Sequence, residues 1–247
     1  MAFQTVFQRY ELKYMLTLDQ KQRILAAMEP HMRPDPYGRS TVRNLYYDTD
    51  TYLLIRRSIE KPKYKEKLRI RSYGKADAES TVFAELKKKY KGVVFKRRIS
   101  LPARQATAWL SGEKPPEKQT QITKEIDYFL NYYGTLHPTV FLSYEREAYY
   151  AADNSAFRIT FDDTILCRQT DLSLGSPIGG TPILPDGKVL MESKCSGGIP
   201  LWMVQVLSEE GIYKTSFSKY GTAYRTLIFP KTHKINTYRM MEVSENV

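Results

Sequence analysis

The chain has 247 residues, 42% of them hydrophobic, enough to bury a core and to exclude global disorder. Lys and Arg number 38 against 27 Asp and Glu, a formal charge of +11, which points to an anionic partner: nucleic acid, an acidic membrane surface or a phosphate-rich small molecule. Cys167 and Cys195 form no disulfide framework, residues 1–10 lack a signal-like apolar stretch, and no apolar run nears the roughly 20 residues that cross a bilayer. The expectation is a cytoplasmic protein, with any membrane role left to a partner subunit.

Residues 8–15 alternate charged and apolar side chains, the period of a strand. Thr17 then caps a helix that Pro30 stops, and 31–40 reads as a loop. Residues 42–47 are strand-like, and a short helix is expected from Asp48 to about 58. Residues 65–73, 81–89 and 93–99 are strands, the last two joined tightly at 90–92. One helix opens at Pro102 and carries Trp109 and Leu110. Another runs from about 119 to 133, with an apolar stripe of Ile122, Ile126, Phe129, Leu130 and Tyr133, and Gly134 ends it. Residues 139–150 and 156–162 pair as strands, 174–187 is a Gly/Pro-rich loop, and 189–194 is a last strand. Helices at about 200–210 and 218–229 complete a single domain over 1–230, followed by a polar tail over 231–247. The fold class expected is α+β.

The strands gather one sign of charge on one face. Lys67, Arg69 and Arg71 share a face, with Leu68 and Ile70 on the other. Residues two apart on a strand sit about 7 Å apart, where like charges at an effective dielectric near 20 repel by about 2 kcal/mol. On an open face, water and salt screen this, and a solvated basic face remains one reading. Lys13, Lys87, Lys96, Arg146 and Arg158 fall in the other strand-like segments in the same way. If the apolar face is covered by amphipathic helices, the charged face turns inward, and a closed sheet becomes a tunnel of unpaired cations that a polyanion must fill. Arginine suits this role, since its guanidinium grips phosphate oxygens in two places. Removing one such cation is expected to cost activity and little stability. Glu85 lies two before Lys87, and Glu192 two before Lys194, spacings of plain ion pairs. Glu192 and Glu11 could instead hold a divalent cation that bridges phosphates.

Other chemistries find less support. Gly187 and Lys188 do not make a phosphate-binding P-loop, because Val189 stands where Ser or Thr is required. His31, His137 and His233 have no metal spacing, and neither cysteine has a placed catalytic partner. The 19 tyrosines beside so much positive charge would suit a stacking platform for nucleic acid, but most occupy apolar positions of strands and helices. No nucleic acid partner is expected.

The ordered set Arg9-Tyr10-Glu11-Leu12-Lys13-Tyr14, Tyr46-Tyr47-Asp48-Thr49, Lys67-Leu68-Arg69-Ile70-Arg71, Glu85-Leu86-Lys87, Phe95-Lys96-Arg97, Tyr144-Glu145-Arg146, Arg158-Ile159-Thr160-Phe161-Asp162, Glu192-Ser193-Lys194 and Phe217-Ser218-Lys219-Tyr220 resembles the VTC domain. This is the polyphosphate polymerase domain of the triphosphate tunnel metalloenzymes, related to the CYTH group. The resemblance covers about residues 4–230. It implies an eight-stranded antiparallel β-barrel with helices packed outside. It also implies ATP bound by its triphosphate, transfer of the γ-phosphate to inorganic polyphosphate, and Mn²⁺ or Mg²⁺ as cofactor. Phosphate contacts carry over to Lys13, Arg69, Arg71, Lys87, Lys96, Arg146 and Arg158. Tyr144, Ser218 and Lys219 add contacts, with Lys67 and Lys194 beside them, and Glu192 takes the metal. Hydrolytic relatives carry a carboxylate where this chain has Arg9, which favours polyanion binding and polymerase over triphosphatase. A tunnel triphosphatase and a non-catalytic polyphosphate-binding module remain the alternatives.

Overall fold

The computed structural model describes residues 10–91, 93–153 and 156–230. Arg9, His233 and the tail over 231–247 lie outside the described residues. The alternating segments become one antiparallel sheet whose main path runs β1 (Tyr10–Thr17), β10 (Lys188–Cys195), β8 (Arg158–Arg168), β7 (His137–Ala151), β3 (Ser40–Asp48), β4 (Tyr64–Tyr73), β5 (Thr81–Tyr90) and β6 (Val93–Pro102). Two short strands attach to it: β2 (Met32–Pro34) on β7, inside the segment expected as loop, and β9 (Thr181–Pro182) on β8. The eight-stranded path curls until Lys87 on β5 reaches Glu11 on β1, Nζ to Oε2 3.2 Å. Among the described residues no backbone ladder joins β1 to β6, so a side-chain contact spans the seam of the half-barrel.

Helices cover the outer face in two groups. Helix α1 (Leu18–Met28) starts at Thr17, whose side chain and that of Gln20 cap each other's backbone amides. It buries Ile24 and Met28 with α5 (Leu201–Glu209) against Leu16, Phe161 and Met191. Helices α3 (Ala103–Leu110) and α4 (Gln121–Tyr133) cover Leu45, Leu68, Ile70 and Leu86. Ile126 and Phe129 of α4 are buried there, and each such side chain contributes about 2 kcal/mol. With both outer groups apolar, the alternate residues Lys67, Arg69 and Arg71 must face the lumen.

A third apolar cluster lies on the inner face. Val42, Tyr46, Leu142, Tyr144, Ile165, Cys167 and Leu190 meet α2 (Leu53–Ile59), α6 (Lys219–Ala223) and the π-helical turn Tyr224–Ile228. These helical elements close over one part of the lumen and leave the charged part beside it. Helix α2 begins later than expected because Asp48 remains the last residue of β3. Its carboxylate accepts from the Leu54 and Ile55 amides at 2.8 and 3.0 Å, capping the helix from across the turn. Strand β8 runs on past Asp162, where the sequence pattern stops. It carries an extra residue between the pairs Ser143↔Leu166 and Glu145↔Asp163, and Thr164 adopts φ 47°. That bulge brings Ile165 and Cys167 to the inner face, whereas Ile159 and Phe161 face outward.

Candidate functional site

The charged part of the lumen is built around buried carboxylates. Glu85 on β5 is 1% exposed and sits opposite Arg69 of β4 and Arg98 of β6. It accepts from Arg69 Nε and Nη2 at 2.8 and 2.6 Å, from Arg98 Nε at 2.6 Å, and pairs with Lys96 at 2.7 Å. Burial opposes its ionisation, yet Arg69, Arg71 and Lys96 hold the carboxyl far below its usual range. The pairing with Lys87 expected from spacing does not form: Lys87 reaches Glu11 instead. Burial also draws the Lys96 ammonium down to about 8, although Glu85 pulls the other way.

A second cluster joins β1, β7, β8, β10 and α6. Arg146 grips Asp162 with two bonds of 2.6 Å, and Lys219 Nζ lies 2.5 Å from Asp162 Oδ2 and 3.3 Å from Glu192 Oε1. Lys13 Nζ is 2.8 Å from Glu192 and 3.4 Å from Glu11. Lys194 stands 3.9 Å from Glu192, so the closer partners of that carboxylate are Lys13 and Lys219. Glu192 is held well below the usual carboxylate range despite its burial, by Lys219, Lys13, Lys194 and Arg146. Glu11 is likewise lowered to about 2, with Lys87 the largest charge opposing its burial.

The lumen is therefore not a tunnel of wholly unpaired cations. Several cations are partnered, and the remainder is still strongly positive. Lys67 has Ser218 Oγ at 2.9 Å as its hydrogen-bond partner, and Lys65 donates to the Ser58 carbonyl at 3.1 Å. Arg158 lies opposite Lys194 in register, exposed at the rim, with no ion-pair partner among the described residues. Two phenols bound the charged part. Tyr46 accepts from Arg69 Nη1 at 2.9 Å and Tyr144 from Arg71 Nη2 at 3.0 Å, while both rings belong to the apolar inner cluster. Lys219 and Arg146 lie over the Tyr144 ring at 4.5 and 5.1 Å. Burial alone would raise the Tyr144 hydroxyl, but Arg146, Arg71 and Lys219 bring it below its ordinary value.

Lys13, Lys67, Arg69, Arg71, Lys87, Lys96, Arg146, Lys194, Tyr144, Ser218, Lys219, Glu11 and Glu192 thus lie around one charged chamber. The N-terminal amides after Ser218 are less open than the sequence suggests. Ser218 Oγ already accepts from the Gly221 amide at 3.2 Å. The ammonium of Lys219, not a row of amides, is what α6 sends inward. Asp162, Arg98 and Tyr46 join the site without being singled out by the sequence pattern. Arg98 follows Lys96 by two and Asp162 follows Arg158 by four, so period-two counting is the signal that places both on the inner face.

The implied Mn²⁺ or Mg²⁺ can be tested against these donors. Among the described residues, no three His, Cys, Asp or Glu side chains are grouped as a metal centre. Glu11 and Glu192 do share one ammonium, that of Lys13, and both are ionised. Two hard carboxylates are the donor type that such an ion takes beside phosphate oxygens and water, but Lys13, Lys87 and Lys219 already neutralise them. A divalent ion carried in on phosphate would have to take the place of Lys13 to reach both.

No helix among the described residues is long and apolar enough to cross a membrane. Among solved structures, a candidate adenylate cyclase of Bacillus halodurans shares the fold. It is 13% identical, with 90% of this chain and 97% of that chain covered and a TM-score of 0.54. A candidate adenylate cyclase of Vibrio parahaemolyticus is 11% identical, covering 89% and 98%, with a TM-score of 0.46. No curated protein matches the chain. The family model described as VTC domain matches residues 8–228. With nearly the whole chain so matched, and with a curled antiparallel sheet turning its Lys and Arg rows inward, the protein belongs to the VTC domain family.

Proposed function

We propose that the protein is an ATP-dependent polyphosphate polymerase, a phosphotransferase that binds a triphosphate or longer polyphosphate in its basic lumen. The observation that carries this reading is the convergence of Lys13, Lys67, Arg69, Lys87, Lys96, Arg146 and Lys219, from β1, β4, β5, β6, β7 and α6, on one chamber whose buried acids leave positive charge in excess.

In the proposed reaction an oxygen of a chain-terminal phosphate attacks the ATP γ-phosphorus, the bond to the β-phosphate oxygen breaks, and ADP leaves. Phosphoryl transfer demands alignment and charge neutralisation more than covalent help from the protein. Arg69 is fixed by Glu85 and Tyr46, and Arg146 by Asp162, so both guanidinium groups are held in place before the anion arrives. Their remaining N–H groups, with Lys87 and Lys96, would bind the equatorial oxygens. The attacking phosphate is already ionised at neutral pH, so no histidine base is required. A divalent ion, when held by Glu192 and Glu11, would add charge neutralisation on the phosphates.

The test is incubation of the purified chain with ATP and Mn²⁺, with and without a pyrophosphate primer, followed by gel separation. Long chains with matching ADP release are expected. Orthophosphate without chains would mark a tunnel triphosphatase, and tight binding without turnover a polyphosphate-binding module. Tripolyphosphate should displace ATP far better than single-stranded nucleic acid does.

A further inference from the structure

Lys67, like Lys65 beside it, differs from the other luminal cations on β1, β5 and β6 in what faces it. On its own strand stand Lys65 and Arg69, and opposite it on β5 is Lys87. Beyond Lys87 on β6 comes Lys96, tied to Glu85. Lys13 approaches from β1, tied to Glu192 and Glu11. Strand β3 ends at Asp48, whose oxygens are taken by the amides of Thr49, Leu54 and Ile55 and by the Tyr220 hydroxyl. From the α6 end comes Ser218 Oγ, 2.9 Å from Nζ. Among the described residues no carboxylate forms an ion pair with Lys67.

Burial, followed by repulsion from Lys87, Lys65, Lys13 and Arg69, lowers this ammonium to about 7. Ser218 is a partner suited to either form. Its hydroxyl accepts from an ammonium and can donate to a neutral amine, so loss of the proton strands no buried polar group. A polyanion reverses the balance, because phosphate oxygens replace a field of cations with one of anions.

We infer that entry of a polyphosphate into the lumen draws one proton from solvent onto Lys67, coupling anion binding to protonation of this side chain. The step forms one N–H bond and breaks none in the phosphate. The inference rests on the polyphosphate-binding reading above. It makes affinity pH-dependent with a defined sign. Below about pH 6 Lys67 is charged with or without ligand. Above about 7, affinity falls by up to about tenfold per pH unit until the bound-state value is passed. Terminal phosphates titrate near pH 6, but they do so identically for every variant.

The experiment is calorimetric titration of the full chain with tripolyphosphate at about pH 8, in buffers of different ionisation enthalpy. Proton uptake by the wild type is compared with that of Lys67→Arg, which stays charged, and Lys67→Met, which cannot be. Both variants are expected to lose close to one proton of uptake, and Lys67→Arg to flatten the fall in affinity above neutrality. An unchanged proton count in both variants would overturn the inference alone. Absence of tripolyphosphate binding by the wild type at any pH would overturn it together with the tunnel reading.

Discussion

Arg69 and Lys67 are two residues apart on one strand and face the same lumen, yet they are held in opposite ways. Arg69 is locked by two bonds to the buried Glu85 and one to Tyr46, whereas Lys67 faces other cations and a single hydroxyl. The contrast separates two uses of positive charge. Around Glu85 a carboxylate pre-positions cations, at the cost of part of their attraction for a ligand. Around Lys67 the attraction is kept, and part of the charge is given up instead.

The largest effect should come from removing the lock. Glu85→Gln leaves Arg69, Arg98 and Lys96 crowded without their counter-charge, and loss of one partner of a buried pair costs about 3–5 kcal/mol. Urea unfolding should show it, and added tripolyphosphate should restore much of the loss. A stable Glu85→Gln that tripolyphosphate does not stabilise would erase the distinction between the two regions. Next comes Arg69→Ala. The charge pattern by itself implies little loss of stability, but the bonds to a charged, buried partner alter that. The cost should be about 2 kcal/mol in denaturation, along with loss of polymer synthesis. If stability is untouched, Glu85 is satisfied by Arg98 and Lys96 without Arg69.

Acid acts on the carboxylates that hold the cations in place. The Glu11 carboxyl is lowered to about 2 in the folded state from an ordinary 4.5. A depressed carboxylate stabilises fully above its unfolded value and loses that contribution as pH falls through its folded value. Glu11→Gln should therefore be less stable than wild type by on the order of 2 kcal/mol at pH 6, with the gap closing between about 4.5 and 2. A gap independent of pH would mean Glu11 acts through packing. The smallest effect belongs to the outer face. Arg97→Ala removes a bond of 3.0 Å to Glu125, a half-exposed pair worth less than about 1 kcal/mol, and should leave tripolyphosphate affinity unchanged.

Alternation alone makes the Lys67–Arg69–Arg71 row and the outer Leu68 and Ile70 legible in the sequence, because a strand allows its side chains only two directions. The partners are harder to read. Spacing pairs Glu85 with Lys87, two along the strand and about 7 Å away, whereas register sets Arg69 directly across, closer by about 2 Å. Which strand lies beside which is a long-range fact that local periodicity does not carry. The bulge at Thr164 has no signal in the alternation either, since it ends one pattern and starts another with the faces exchanged. Asp162 stands just before that change, which is why a strand reading that ends there assigns it no partner.

The sheet's two ends do not meet through their backbones. On the β1 side the Thr215 amide donates to the Lys13 carbonyl at 2.7 Å and Lys214 bridges Tyr14, so that border is partly occupied. The β6 border is open among the described residues and carries Lys96, Arg97 and Arg98 in succession. An unpaired strand is a template on which a stranger's strand can grow, and consecutive positive charges make a second copy a poor match. Lys96 and Arg98, which line the interior, and Arg97 on the outer face thus together discourage the molecule from stacking upon itself.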